Sequence, residues 1–173
     1  IVLWGDHGYH LGDHGSWTKH TNYEQANRIP ILISAPGVTQ PGSSTTALIE
    51  TVDIYPTLVE LAGLSMPQAA QPIDGKSFVP VLREGSRSVR DHAYHCFPKG
   101  KRLGRAVRTQ RYRLVGWKAI GSDDSPQYEL YDYLEDPLET RNLASERREG
   151  VSELAAVLAS LPPAKPHAQP AKR

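Results

Sequence analysis

The chain has 173 residues, with 20 Lys and Arg against 19 Asp and Glu and a formal net charge of +1. Its basic residues are scattered, so it lacks the electrostatic footprint of a nucleic-acid binder. No apolar run approaches the roughly 18 residues that a membrane span needs. A single cysteine, Cys96, excludes an internal disulfide.

The length suits one domain with a real core, or part of a larger one. The first residue is Ile1, inside an apolar run and with no charged and apolar leader before it, so the sequence reads as a fragment lacking an N-terminal part. Val2 to Trp4 are uninterrupted apolar residues ending at Gly5, the pattern of a buried parallel strand that delivers a loop at its C-terminal end. In TNYEQANRIP, Thr21 or Asn22 suits the N-cap of a short helical turn that Pro30 stops. ILISAP (31–36) is a second strand and GVTQPGSST a loop. TVDIYPTLVELAGL has a helical apolar stripe, with Asp53 in the first turn and Gly63 past the end. KSFVPVLREG is a short helix. Strand, loop, helix, strand, helix is the α/β layer pattern.

The second half differs. Residues 92–97, 105–110, 112–118 and 128–133 are short, alternating and rich in β-branched and aromatic residues, which predicts antiparallel strands. An amphipathic helix follows in SERREGVSELAAVLASL, and PPAKPHAQPAKR has the composition of a disordered tail. The expected division is 1–88 for the α/β part, 89–161 for a subdomain of four antiparallel strands and a helix, and 162–173 for the tail.

Chemistry concentrates in GDHGYHLGDHGSWTKH (5–20), which holds two Asp, four His, one Lys and four Gly. Asp6 and His7 directly follow a strand, where ligands bind in open α/β sheets. A carboxylate beside an imidazole can serve a divalent cation; alternatively Asp6 caps a turn and His7 bonds to backbone. His7, His10 and His14 do not make a zinc triad on a helix, because Gly8, Gly12 and Gly15 fall among them. His10 and His14 are expected to be solvated loop residues. Lys19 can return towards Asp6 across a glycine-permitted turn and offset charge on an anionic ester; the alternative is an ordinary surface lysine. Cys96 alternates with Tyr94 on an expected strand and reads as a small buried hydrophobe rather than a nucleophile.

DHGYHLGDHGSWTKHTNYEQANRIPILISAPG resembles the D-H-G-x-x-L-G-D/E-H-G-x-W-x-K segment of type I sulfatases, of the alkaline-phosphatase-like superfamily, with their following R-x-P-x-x-x-x-x-P-G strand. TVDIYPTLVELAGL, AVRTQRYRLVGW and YELYDYLEDPLETRNLA resemble three further stretches of that family, in the same order, so the likeness runs from Ile1 to about Leu161. The branch it resembles most contains iduronate-2-sulfatase and its bacterial relatives, since many arylsulfatases carry Asp-Asn in place of Asp6-His7. The same pair also occurs in phosphonate monoester and choline-sulfate hydrolases.

The resemblance implies an alkaline-phosphatase-like α/β sandwich with a small C-terminal antiparallel sheet. It implies that Asp6 and His7 help bind one divalent cation, usually Ca²⁺, and that Lys19 contacts the sulfate. The family nucleophile is a formylglycine made from Cys or Ser in C-x-P/A-x-R. CFPKG at Cys96 ends in Lys99 and Gly100 and follows the Asp-His pair, so it is not that site. The nucleophile, the remaining cation ligands and the groups around them are expected in the missing N-terminal part.

A formylglycine-generating or anaerobic sulfatase-maturing enzyme is the implied partner, and this chain alone is expected to be inactive. His20, beside Lys19, is a candidate pocket residue. Lys99, Lys101 and Arg102 occupy the place of a substrate-facing loop and would suit a carboxylated or multiply sulfated sugar; the alternative is a solvated hairpin. Arg108 and Arg111 are expected to brace the C-terminal sheet. The implied activity is hydrolysis of a sulfuric ester on a carbohydrate, with periplasmic, extracellular or lysosomal residence. A phosphonate or phosphodiester hydrolase and a non-catalytic carbohydrate-binding homologue are the alternatives.

Overall fold

The computed structural model describes residues 1–68 and 70–163; the tail expected at 162–173 lies outside them beyond residue 163. The opening apolar run forms β1 (Val2–Trp4), which pairs with β2 (Ile31–Ile33), Trp4 opposite Ile31. The pairing is antiparallel, and Leu3 and Trp4 are 63% and 46% exposed, which corrects the expectation of a buried parallel strand. An apolar run signals burial but carries no information on strand direction. Here Val2, Ile31 and Ile33 pack against Ile54, Phe78 and Val81, while Leu3 and Leu32 stay exposed.

Between the strands lies α1 (Glu24–Asn27); after them come α2 (Ile54–Leu61) and α3 (Val79–Arg83). The TVDIYPT motif owes its residue types to local wiring. Buried Asp53 accepts hydrogen bonds from the Glu50 and Lys76 amides and pairs with Arg90. Thr57 Oγ1 donates to the Asp53 carbonyl and accepts from the Phe78 amide, which ties α2 to the segment leading into α3. A buried hydroxyl and carboxylate are tolerated because each is satisfied.

The alternating segments form one antiparallel sheet in sequential order: β3 (Ala93–Lys99), β4 (Arg102–Arg108), β5 (Tyr112–Ala119) and β6 (Gln127–Asp132). Residues two apart share a face. Val107, Leu114 and Leu130, aligned across three strands, pack with Leu143 and with Leu154 and Leu158 of α4 (Arg148–Ser160). Burying each such leucine contributes about 2 kcal/mol. Arg111 and Arg147 close one end by pairing with the buried Asp132 carboxylate.

The opposite face receives the loop and helix of residues 5–27, and a buried ion network joins them. Arg113, 2% exposed, donates from Nη1 to the Asn22 carbonyl at 3.0 Å and from Nε to Tyr133 Oη at 2.7 Å. Its guanidinium pairs with Glu139 at 2.8 Å and Glu24 at 2.5 Å, and Arg108 adds a second bond to Glu24. Burial pushes the Glu24 carboxyl up, but the Arg108 hydrogen bond and the Arg113 charge hold it below the usual carboxylate range.

Neither Thr21 nor Asn22 caps α1, contrary to expectation. The helix starts after Tyr23, and its first amide, on Glu24, is bonded by Glu139 Oε2, 115 positions away, at 2.9 Å. A distant carboxylate supplies the cap that the local sequence does not.

Breaking a buried pair leaves its partner unpaired in low dielectric, so Arg113→Met is expected to destabilise the protein by about 3 to 5 kcal/mol. Urea denaturation measures this. The Arg111 hydrogen bond holds Asp132 below its usual range, against the cost of burial. A depressed folded pKa gives stability that is complete above the unfolded value of about 4 and is lost as pH falls through the folded value. Urea midpoints across pH should therefore drop below about pH 4 in the wild type. Asp132→Asn is expected to be less stable at pH 7 and to show a shallower acid drop.

Candidate active site

The loop after β1 is built to double back. Gly8 donates its amide to the Ala26 carbonyl at 2.8 Å, and a Cβ there would stand 1.9 Å from the Gln25 carbonyl oxygen, so only glycine lets the turn press on α1. His10 N bonds Thr18 O and Gly12 N bonds Ser16 O, which closes residues 10–18 into an excursion that returns the chain to its start. Tyr9 Oη bonds the Trp17 carbonyl across the same fold-back. Lys19 is thus delivered beside His7 despite the distance between them in sequence.

His7 Nδ1 lies 2.7 Å from the Gly8 carbonyl, which can only accept, so Nδ1 donates there and Nε2 is the outward-facing ring atom. That nitrogen accepts from Lys19 Nζ at 2.6 Å and stands 3.5 Å from Asp6 Oδ2. The Asp6 side chain is 86% exposed and also accepts the His7 amide. Turn-capping and functional readings of the pair therefore coexist on different atoms: the backbone bonds orient a carboxylate oxygen and an imidazole nitrogen toward one exposed point.

Such a donor pair fits a divalent cation, with the ring fixed from behind by a carbonyl in the manner of metal-ligating histidines. It is a partial set. Among the described residues no three His, Cys, Asp or Glu side chains are grouped to hold a metal, and Ca²⁺ takes about 6 to 8 oxygen ligands.

The other histidines are placed differently. His10 is wholly buried, with Nε2 2.7 Å from Thr21 Oγ1; burial lowers its pKa, helped by nearby His14. The His14 ring stacks on Tyr23 at 4.3 Å and stands 3.8 Å from Glu139 Oε2, its side chain 18% exposed. The solvated reading is corrected for His10 alone; the His14 residue stays exposed, although its ring rests against Tyr23 and Tyr131 and near Glu139. His20 turns toward β3 and stacks on Phe97.

Of the hairpin cations, Lys99 and Lys101 are exposed at the β3–β4 turn. Arg102 instead bonds Gln127 Oε1 at 2.9 Å and lies over the Trp117 ring, so it is engaged along the sheet. Arg108 and Arg111 pair with Glu24 and Asp132 as braces. Cys96 is half-buried, and burial pushes its thiol up, away from nucleophilic character.

The residues that hold this site together, Arg113, Glu139, Tyr133 and Asn22, carry no sequence signal beyond their place in matched stretches. The one available sign was a Glu after Asp-Pro-Leu in a turn, where Glu139 adopts φ +57°.

Comparison with known proteins places these features in a family. The model described as N-sulphoglucosamine sulphohydrolase, C-terminal, matches residues 12–161. An N-acetylglucosamine-6-O-sulfatase of Bacteroides thetaiotaomicron is 31% identical over 151 residues, covering 83% of this chain and 26% of that protein. Iduronate 2-sulfatase of Mus musculus is 28% identical over 220 residues, covering 87% and 39%. A solved structure of a protein in complex with its substrate D-glucosamine-2-N,6-O-disulfate superposes with a TM-score of 0.78 at 30% identity, over 92% of this chain and 33% of that one. The chain thus spans between about a quarter and two fifths of these relatives. With matching sequence over most of its length and a shared alkaline-phosphatase-like fold, this chain belongs to the sulfatase family.

Proposed function

We propose that the protein carrying this chain hydrolyses a sulfuric ester on a carbohydrate, on the iduronate-2-sulfatase-like side of the family. The observation that carries this reading is the convergence of Asp6, His7 and Lys19 on one exposed point at the end of β1, in a member of the sulfatase family. The relatives named above act on sulfated sugars by their descriptions, which supports the substrate class.

Hydrolysis adds water across the ester, releasing an alcohol and sulfate. Asp6 and His7 would hold the divalent cation, Ca²⁺ by resemblance, which would supply polarisation of the sulfate oxygens and offset charge in the transition state. The Gly8 carbonyl orients the His7 ring so that Nε2 faces outward, where it bonds Lys19 Nζ here and would be ceded by Lys19 to the ion as the ammonium turns to the sulfate. Lys19 is the catalytic residue of this chain. Its ammonium, steered by the 10–18 fold-back, contacts the sulfate and places a proton at the leaving ester oxygen.

The formylglycine nucleophile and the maturing enzyme that makes it belong, on this reading, to the longer protein. His20, Lys99 and Lys101 are the substrate-facing candidates, and Arg102 contributes by holding the hairpin.

The test is release of sulfate and of phosphate from matched aryl esters by the full-length protein, with Ca²⁺ present and then chelated. Calcium-dependent sulfate release that falls about 100-fold or more in Lys19→Ala, and falls likewise in Asp6→Ala, is the expected result. Dominant phosphate release would move the protein to the phosphonate and phosphodiester hydrolases. Turnover of neither ester would leave a carbohydrate-binding homologue.

A further inference from the structure

The sheet touches the Lys19 loop at one further place, through an aromatic contact between His20 and Phe97 of β3. The His20 ring lies parallel to the Phe97 ring, 3° apart in plane with centroids at 5.3 Å. Both neighbours of that stack are fixed. Asn22, wholly buried, donates from Nδ2 to the Phe97 carbonyl at 3.0 Å. Gly104, opposite Phe97 in the β3–β4 register, makes room for this: a Cβ there would stand 2.3 Å from Asn22 Nδ2. On the loop side, the Thr21 amide bonds the Lys19 carbonyl and the His20 amide bonds Thr18 Oγ1, so the backbone on both sides of Lys19 is tied down.

A ring held by its face offers its edge. Among the described residues the ring nitrogens of His20 make no hydrogen bond, although His20 is exposed and adjacent to Lys19. Strand alternation places Lys99 on the same side of β3 as Phe97, where it adds an exposed cation. The arrangement is an oriented imidazole edge on the residue that follows Lys19, with exposed Lys99 on the same face of β3 as the ring that holds it.

Resting on the sulfatase reading above, the geometry points to His20 as a specificity-determining residue and to Phe97 as the positioning residue that aims it. The group recognised is a hydroxyl or anionic substituent on the sugar ring that bears the scissile sulfate. Phe97 touches no substrate; it acts through His20 by removing the ring's rotational freedom before binding, which is where preorganisation yields affinity.

The experiment compares kcat and KM of the full-length protein on two probes, an unsubstituted aryl sulfate and a sulfated uronic-acid disaccharide, for wild type, His20→Ala, Phe97→Leu, Phe97→Tyr and the His20→Ala/Phe97→Leu double variant. An aromatic pair of this kind predicts that Phe97→Leu lowers the disaccharide-to-aryl ratio of kcat/KM by about three- to tenfold, chiefly through the disaccharide KM. Phe97→Tyr should restore the ratio, and the double variant should match His20→Ala alone, because one residue acts through the other.

An unchanged ratio in Phe97→Leu, an equal loss on both probes, or additive losses in the double variant would overturn the inference while leaving sulfatase activity standing. A wild-type protein that releases sulfate from neither probe overturns the parent reading and the inference together.

Discussion

Everything near the candidate site depends on one buried cation. Arg113 projects from the middle of the C-terminal sheet and bonds the Asn22 carbonyl, Glu24, Glu139 and Tyr133. A guanidinium suits this work because its planar fork supplies several donors in fixed directions and keeps its charge when buried. Taking such ions out of water costs several kcal/mol each, so the network is weak evidence for net stability. What it supplies is register. Carboxylates and a carbonyl that tolerate no loss of their partner hold residues 22–24 at one position on the sheet, and the loop bearing Lys19 is anchored there.

Seen from that anchor, the site has a division of labour between short-range and long-range contacts. The 10–18 fold-back and the Gly8 approach to α1 are local, and they bring Lys19 to His7. Glu139, Arg113 and Phe97 are distant in sequence and set where the whole fold-back stands relative to the sheet and its basic hairpin. Local contacts fix the distances within the Asp6, His7 and Lys19 group, whereas distant ones fix its surroundings.

That division also explains what could be read from the sequence. The four strands and the last helix were legible because alternation and an amphipathic stripe are local patterns, and they fall on β3 to β6 and α4, with the second strand running over Arg102–Arg108 rather than 105–110. The grouping of Asp6, His7 and Lys19 was legible through spacing shared with a family. Strand direction in β1 was not, since Ile1 to Trp4 contain nothing that distinguishes a parallel from an antiparallel partner. His10 was misread because glycine-rich polar sequence resembles solvent-exposed loop, and only the fold-back onto Thr21, with the His14 and Tyr23 rings alongside, takes it out of water. The cap on α1 was missed for a like reason: its acceptor lies 115 positions away.

The remote cap has a bearing on how inherited or engineered changes in such a protein should be interpreted. Glu139 stands in a turn after the sheet, far along the chain from Lys19, and a sequence-based survey would class it with folding. Yet its carboxylate secures the start of the helix against which the Asp6–His7 turn is pressed. A change there reaches the Asp6–His7 turn by way of the α1 backbone, so on the proposed reading a lesion in the turn after the small C-terminal sheet would resemble one in the candidate site itself. Distance along the chain is a poor guide to such effects: Glu139 and Gly8 both bond the same short helix, at Glu24 and at Ala26.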